Sequence, residues 1–253
     1  KGKTVTLRFT FWGNPEQVKL TEQIVAEFEK ENPDIKIRME HIPRDYPTKM
    51  MTMIAGGTAP DVGYVEITPF SAWAHKGVLE NLDPYVAKSE VIKKEDFFPR
   101  AWEVFTYDGK VYGISRDLSP TVMFFNKNHF DEAGLAYPDE SWNWDIFLEN
   151  VKKLTKDENG DGRTDQFGTA GYTMESAIWQ NGGAIFDDEF NPTKCLLDSK
   201  EAKEALQWLQ DLSWKHHVSP TPKESQDQTA EMMFTTNKVS TYFTGHWMIP
   251  TFK

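Results

Sequence analysis

Strand and helix periods alternate through the first 65 residues, and no other feature constrains the fold as tightly. Val5, Leu7, Phe9 and Phe11 alternate with Thr6, Arg8 and Thr10, the two-residue period of a strand. Residues 16–31 carry the helical spacing, with Val18, Ile24, Val25 and Phe28 on one stripe and Asn32-Pro33 as the stop. Ile35, Ile37 and Met39 alternate again as a second strand. Residues 45–54 read as a helix, with Met50, Met53 and Ile54 apolar and Gly56-Gly57 at its end. Residues 62–65 form a short third strand. This β-α-β-α-β order predicts an α/β sheet with crossover helices. In open α/β sheets, ligands bind beyond the carboxyl ends of the strands. Trp12-Gly13 therefore places a tryptophan at a ligand crevice.

The same reading continues along the chain. A short helix is expected over 69–77 and a hairpin over 107–112, turning on Asp108-Gly109. Residues 122–125 are an apolar strand, and a helix over 127–133 closes at Gly134. The helix over 142–155 turns Ile146, Phe147, Val151 and Leu154 inward. Over 198–214, Asp198 caps a helix with Glu201 reaching back, and Ala202, Ala205, Leu206, Leu209 and Leu212 form the buried stripe. A late strand over 239–243 ends at Gly245-His246-Trp247. Trp102, Trp208 and Trp214 lie on helical stripes and are expected in the core. Two α/β lobes follow, 1–113 and 114–253, with a hinge near 109–119.

Composition narrows the partners. A net charge of −11 argues against nucleic acid and anionic membranes, which require clustered Lys and Arg. Cys195 is the single cysteine, so it forms no intrachain disulfide and reads as an incidental thiol. His216-His217 at a helix end reads as a surface cap. Nine tryptophans exceed what core packing needs. Sugar clefts use such rings, because a flat aromatic face matches the C–H face of a pyranose.

Residues 157–168 read D-x-N-x-D-G-x-x-D at their start, the first nine positions of an EF-hand loop. Asp157, Asn159 and Asp161 are spaced to aim oxygens at one ion, and Gly162 permits the sharp turn. Arg163 offers its backbone carbonyl and Asp165 holds position nine. Position twelve is Gly168 rather than a bidentate Glu. Structural Ca2+ is expected, the alternative being a turn satisfied by its own backbone.

Several stretches, weak alone, become specific in combination. They are Trp12-Gly13, Phe28-Glu29-Lys30-Glu31-Asn32-Pro33, Gly57-Thr58-Ala59-Pro60-Asp61-Val62 and Gly77-Val78-Leu79-Glu80-Asn81-Leu82-Asp83. Asp108-Gly109-Lys110-Val111-Tyr112-Gly113-Ile114, Phe125-Asn126-Lys127 and Ser141-Trp142 follow. Trp179-Gln180-Asn181-Gly182-Gly183 and Gly245-His246-Trp247 complete the set. In this order they resemble the extracellular solute-binding proteins of bacterial ABC importers, in the carbohydrate group that includes the maltodextrin-binding proteins.

The resemblance implies an α/β, two-lobe periplasmic-binding-protein fold of type II that closes on a sugar. It implies a monomer located outside the cytoplasm, periplasmic or lipid-anchored, that delivers its ligand to the membrane subunits of an ABC permease. The family normally continues past Gly245-His246-Trp247 and returns to the first lobe, so the second lobe and that return are expected to be incomplete here. The resemblance places Trp12 and Asn14 at the ligand, with Tyr64 and Glu66 after the third strand facing the same cleft. Asp117 is the sugar-binding acid at the lobe crossing, the alternative being a structural ion pair with Arg116. Tyr172 follows a strand running to the cleft, and Glu175 and Trp179 begin the next helix, where Trp179 is equally a core residue. Trp247 matches the stacking tryptophan of the family.

Two other classes are weighed. A carbohydrate-active enzyme would use a carboxylate pair about a glycosidic bond, yet no nucleophile elbow, phosphate loop, zinc motif or triad signature is present. A binder of a polyamine or metal chelate would need more convergent carboxylates.

Overall fold

A computed structural model describes residues 4–190 and 192–252. The chain divides into two compact units, one ending at Asp117 and the other beginning at Leu118.

The first unit is built on a parallel three-stranded sheet in the order β2-β1-β3. Its strands are β1 (Val5–Phe11), β2 (Ile35–His41) and β3 (Val62–Gly63). Helices α1 (Pro15–Glu31) and α2 (Tyr46–Ala55) are the crossovers. Local chemistry starts α1. Asn14 Oδ1 accepts the Gln17 N–H at 2.9 Å, while Gln17 Oε1 accepts the Asn14 N–H at 2.9 Å. This is a reciprocal capping box, followed by Pro15 at the first helical position.

Two expectations change here. The two-residue period points Thr10 outward, but Thr10 and Phe11 are both buried. A central parallel strand is covered on both faces, so alternation loses its meaning there. On α1 the stripe is rotated: Thr21 is buried, whereas Ile24 and Phe28 are 60% and 39% exposed. Val18, Val25 and Glu29 are half-buried with Thr21, so the helical period holds and the face differs. β3 is shorter than 62–65, although the Tyr64 N–H still reaches the Thr10 carbonyl at 3.1 Å. Helices α3 (Ile67–His75), α4 (Asp83–Val86) and α5 (Pro99–Glu103) follow. The hairpin β4 (Thr106–Tyr107) and β5 (Lys110–Val111) then turns on Asp108 and Gly109, both left-handed at φ 48° and 72°. A type I′ turn requires that conformation at both positions.

The second unit holds β6 (Thr121–Phe125), β7 (Phe167–Ala170) and β8 (Val239–Gly245), in the order β6-β8-β7. β8 runs antiparallel to β6 and parallel to β7. Its helices are α6 (Lys127–Glu132), α7 (Trp144–Leu154), α8 (Met174–Gln180), α9 (Lys200–Trp214), α10 (Ala230–Thr235) and α11 (Ile249–Phe252). Caps trim two expected helices. Asn143 Oδ1 accepts the N–H groups of Asp145 and Ile146, each at 3.0 Å, so α7 begins at Trp144 rather than at 142. Ser199, not Asp198, caps α9: its Oγ accepts the Ala202 N–H at 3.2 Å. The stripe of α9 is as expected, with Ala202, Ala205 and Leu212 buried. Trp102 is buried and Trp208 half-buried, but Trp214, the last residue of α9, is 61% exposed.

His129 of α6 is buried against β8. Its Nδ1 lies 2.9 Å from Ser240 Oγ, and Asn126 Nδ2 faces its Nε2 at 3.4 Å. Those partners assign a neutral ring that donates from Nδ1. Burial holds its pKa below the ordinary histidine value. The unfolded chain therefore takes up this proton near pH 6.5, before the folded chain does. This contribution to stability is complete above about pH 6.5 and is lost as pH falls from there through the lower pKa of the folded chain. The drop in Tm from pH 7.5 to 5.5 is expected to be larger for the native protein than for His129→Gln. Equal drops would refute the assignment.

Candidate functional site

Four chain segments meet in the first unit. Trp12, at the carboxyl end of β1, stands edge-on to Tyr46 at 4.8 Å and to Tyr64 at 4.9 Å between ring centroids. Tyr46 is anchored below: its hydroxyl lies 2.9 Å from Thr10 Oγ1 and donates to the Thr10 carbonyl at 3.2 Å. Burial raises its phenol pKa. The Arg116 guanidinium lies 4.5 Å above the Tyr64 ring. Arg116 Nε and Nη2 donate to Asp117 Oδ2 at 2.9 and 2.5 Å. Burial opposes the arginine charge, but hydrogen bonding and charge at Tyr64 and Asp117 outweigh it, so its pKa is raised. The cluster offers flat aromatic surface beside a carboxylate and a guanidinium that hold each other, groups able to bind hydroxyls.

Of the other two expected residues of this unit, Glu66 lies near enough to Tyr46 for its charge to help raise that phenol pKa. Asn14 spends its side-chain oxygen on the α1 cap. Glu66 is exposed at the N-cap of α3 without a cap bond.

In the second unit Tyr172, just past β7, joins an aromatic cluster. Its ring is 4.3 Å from Phe243 and 5.1 Å from Trp208. Trp144 stacks on Trp208 at 4.0 Å with an interplanar angle of 11°. Trp144 Nε1 donates to the Tyr172 hydroxyl at 3.2 Å and to Gln180 Oε1 at 3.0 Å, and the Tyr172 hydroxyl donates to the same Gln180 oxygen. Burial raises the Tyr172 phenol pKa. A cavity of about 650 Å³ opens beside this cluster, lined by Trp142, Trp144, Tyr172, Asp145, Gln180 and Asn181 among others.

Glu175 is half-buried in the first turn of α8, and Trp179 is 55% exposed on the same helix rather than in the core. Trp247 is 45% exposed, and its ring lies over Gly245 so closely that a Cβ there would be 1.9 Å from Cζ3. Ser119 Oγ lies 2.6 Å from Nδ1 of the neighbouring His246.

The 157–165 loop bonds to itself. Asp157 accepts the N–H groups of Gly160 and Gly162 at 2.7 and 2.8 Å, and Asn159 accepts that of Asp161 at 2.8 Å. Asp161 accepts from Arg163 N–H at 2.8 Å, and Asp165 from Glu158 N–H at 2.9 Å. Among the described residues, no group of three or more His, Cys, Asp or Glu is disposed to hold a metal ion.

The structure thus brings Trp12, Tyr64 and Asp117 together through Arg116, and sets Tyr172 among partners that sequence reasoning missed: Trp144, Asp145 and Gln180. One signal was present. An asparagine cap at Asn143 turns Trp144 and Asp145 into the first turn of a helix, on the side where β7 ends.

Comparison with known proteins adds an independent line. The family described as bacterial extracellular solute-binding protein matches residues 12–251. Arabinooligosaccharide-binding proteins of Halalkalibacterium halodurans and Bacillus subtilis are 29% identical over 240 residues and 28% over 234. These alignments cover 91% and 87% of this chain, which spans about half the length of each relative (51%). Among solved structures, an ABC substrate-binding protein from Listeria monocytogenes in complex with cycloalternan is 33% identical, with a TM-score of 0.90. That match covers 99% of this chain and 64% of the other.

Proposed function

The chain belongs to the bacterial extracellular solute-binding proteins, and on that premise we propose that it captures a sugar or oligosaccharide outside the cytoplasm for an ABC importer. Its two α/β units are those of the two-lobe type II periplasmic-binding-protein fold. The observation that carries the reading is the pairing, in each unit, of half-buried aromatic rings with fixed polar groups. Trp12 and Tyr64 stand beside Arg116–Asp117, and Trp144 and Tyr172 beside Gln180. One aromatic ring against a pyranose buries on the order of 100 Å², about 2–3 kcal/mol before costs. Two or three such contacts, less the entropy of association, suit micromolar capture. The saccharides named for the relatives support the same ligand class. A monomer working with permease subunits, free or lipid-anchored, belongs to this proposal; one curated relative is named a lipoprotein. Among the described residues no helix is long and apolar enough to cross a membrane.

A thermal-shift panel of arabinose, glucose, their oligosaccharides and spermidine tests the proposal. Saturation at about 100 Kd stabilises by about 2.7 kcal/mol and raises Tm by several degrees. A response to spermidine alone would sink it. Release of reducing ends from any glycan would favour the enzyme reading instead.

Calcium at the 157–165 loop is part of the same proposal, as a structural ion. An ionised carboxylate has about four lone-pair sites, so oxygens that accept one backbone N–H each keep capacity for a cation. Calorimetric titration of EDTA-stripped protein is expected to give heat for one ion. No heat at millimolar calcium rejects it.

A further inference from the structure

The sequence holds two Asn-Gly pairs, Asn159-Gly160 and Asn181-Gly182, and both lie in the second unit. Their chemistry is the same and their surroundings are opposite. We infer that Asn159 is a site of spontaneous covalent modification, where the loop converts its own asparagine to aspartate or isoaspartate, and that the fold protects Asn181 from the same reaction. This property is independent of sugar capture and needs no bound ion.

The reaction is an attack of the following backbone nitrogen on the side-chain amide. The bond from Gly160 N to Asn159 Cγ forms, and the Cγ–Nδ2 bond breaks. The proton lost from the Gly160 nitrogen goes to the departing nitrogen, which leaves as ammonia. A cyclic imide remains. Water adds to either of its carbonyls and reopens the ring, leaving a carboxylate in place of the amide. Water is the only reactant besides the chain.

The 157–165 loop favours that path. Asn159 and Gly160 are exposed and belong to no helix or strand, so the backbone rotation that closes the ring breaks no ladder. Gly160 has no Cβ to hinder the approach, and one placed there would meet nothing within 4 Å. Asn159 Oδ1 accepts the Asp161 N–H at 2.8 Å. That bond draws charge toward the oxygen and stabilises the oxyanion that forms as the nitrogen adds. The Gly160 N–H points at Asp157 Oδ1 at 2.7 Å, an acceptor already in place for the proton.

Asn181-Gly182 has the reverse arrangement. Asn181 is the C-cap of α8, and its Nδ2, the group that must leave, is tied to the Glu201 carbonyl of α9 at 2.8 Å. The Gly182 N–H donates to the Trp179 carbonyl at 3.1 Å, and the Gly183 N–H to the Ile178 carbonyl at 2.9 Å. Neither carbonyl takes up a proton as a carboxylate does. Turning the Gly182 nitrogen onto Asn181 Cγ unwinds the end of α8 and pulls it from α9, where Ala177, Ile178, Ala202 and Ala205 are packed together and buried.

Each conversion at Asn159 adds a negative charge to a loop that already carries Asp157, Glu158, Asp161 and Asp165. The chain therefore ages into a second, more acidic form.

Peptide mapping by mass spectrometry tests this on the full chain, stored with EDTA at about pH 8 in native buffer and in guanidinium chloride. In denaturant both pairs are unfolded and are expected to convert at equal rates. In native buffer Asn159 is expected to convert at least about tenfold faster than Asn181. Asn159→Gln is expected to abolish the acidic form seen by isoelectric focusing of the native chain. Equal native rates, faster conversion at Asn181, or an acidic form that persists in Asn159→Gln overturns the inference. Native protein that keeps both amides while both convert in denaturant overturns it as well.

Discussion

Gly168→Ala is expected to destabilise the second unit by about 4 kcal/mol or more. Gly168 is buried in β7, where α7 crosses it. A Cβ at that position would sit 2.0 Å from the Val151 carbonyl oxygen and 2.7 Å from the Val151 carbonyl carbon. Both are backbone atoms, so no rotamer relieves the clash and the helix must move away from the sheet. Three bonds run through the contact: the Gly168 N–H to Thr155 Oγ1 at 3.0 Å, the Thr155 hydroxyl to the Val151 carbonyl at 2.7 Å, and the Thr241 hydroxyl to the Gly168 carbonyl at 2.9 Å. Overpacking alone costs about 1–3 kcal/mol. Each bond broken adds about 1 kcal/mol. A total of about 4 kcal/mol or more is a large part of the 5–15 kcal/mol that stabilises a domain. Urea unfolding followed by tryptophan fluorescence measures it. A Gly168→Ala protein within about 1 kcal/mol of the native one would show that α7 does not press on β7 in this way.

The second large effect is on binding. Tyr64→Ala is expected to weaken sugar capture by about 100-fold, equivalent to about 2.7 kcal/mol. Tyr64 ties the first-unit cluster together: its ring meets Trp12 at 4.9 Å, Phe9 at 5.5 Å and the Arg116 guanidinium at 4.5 Å. Without the ring, Trp12 loses one of its two edge contacts and Arg116–Asp117 loses its platform. Tyr64→Phe gives up only the phenol hydroxyl and keeps the ring that meets Trp12, Phe9 and Arg116. That variant is expected to stay within about threefold of native affinity. Tyr64 is half-buried, so its truncation also costs stability. A Tm and circular-dichroism comparison separates that cost from the binding loss. A folded Tyr64→Ala protein that binds its sugar as tightly as Tyr64→Phe would remove the first-unit cluster from the site.

The elements were legible where their cause is local. Capping of α1 lies in Asn14-Pro15-Glu16-Gln17, and the hairpin lies in Asp108-Gly109. Where two caps compete within one residue, the result was harder to read: Ser199 displaced Asp198 because its hydroxyl sits three residues before the first free N–H it meets, that of Ala202. Trp214 was expected inside because its spacing continues the α9 stripe. It is the last residue of the helix, and beyond it nothing covers it among the described residues.

The site divided along the same line. Strand ends pointed to Trp12 and Tyr172 because a strand period and a following glycine are written in adjacent residues. Arg116 over Tyr64 was not legible, nor was Trp144 bonded to Gln180, because each contact spans tens of residues and depends on how crossovers pack. The rotated face of α1 has the same origin: a helical period shows that one face is apolar, while the sheet determines which face it covers.

By itself, then, the sequence determined the alternating α/β order, the turns and most caps, and the family to which those pieces belong, because each arises from groups a few residues apart. Only the tertiary structure decided which apolar face of α1 is covered, which tryptophans stand exposed, and which polar groups hold Tyr172. Those outcomes follow from packing between distant segments, where burial and hydrogen-bond satisfaction are settled by neighbours that no local period specifies.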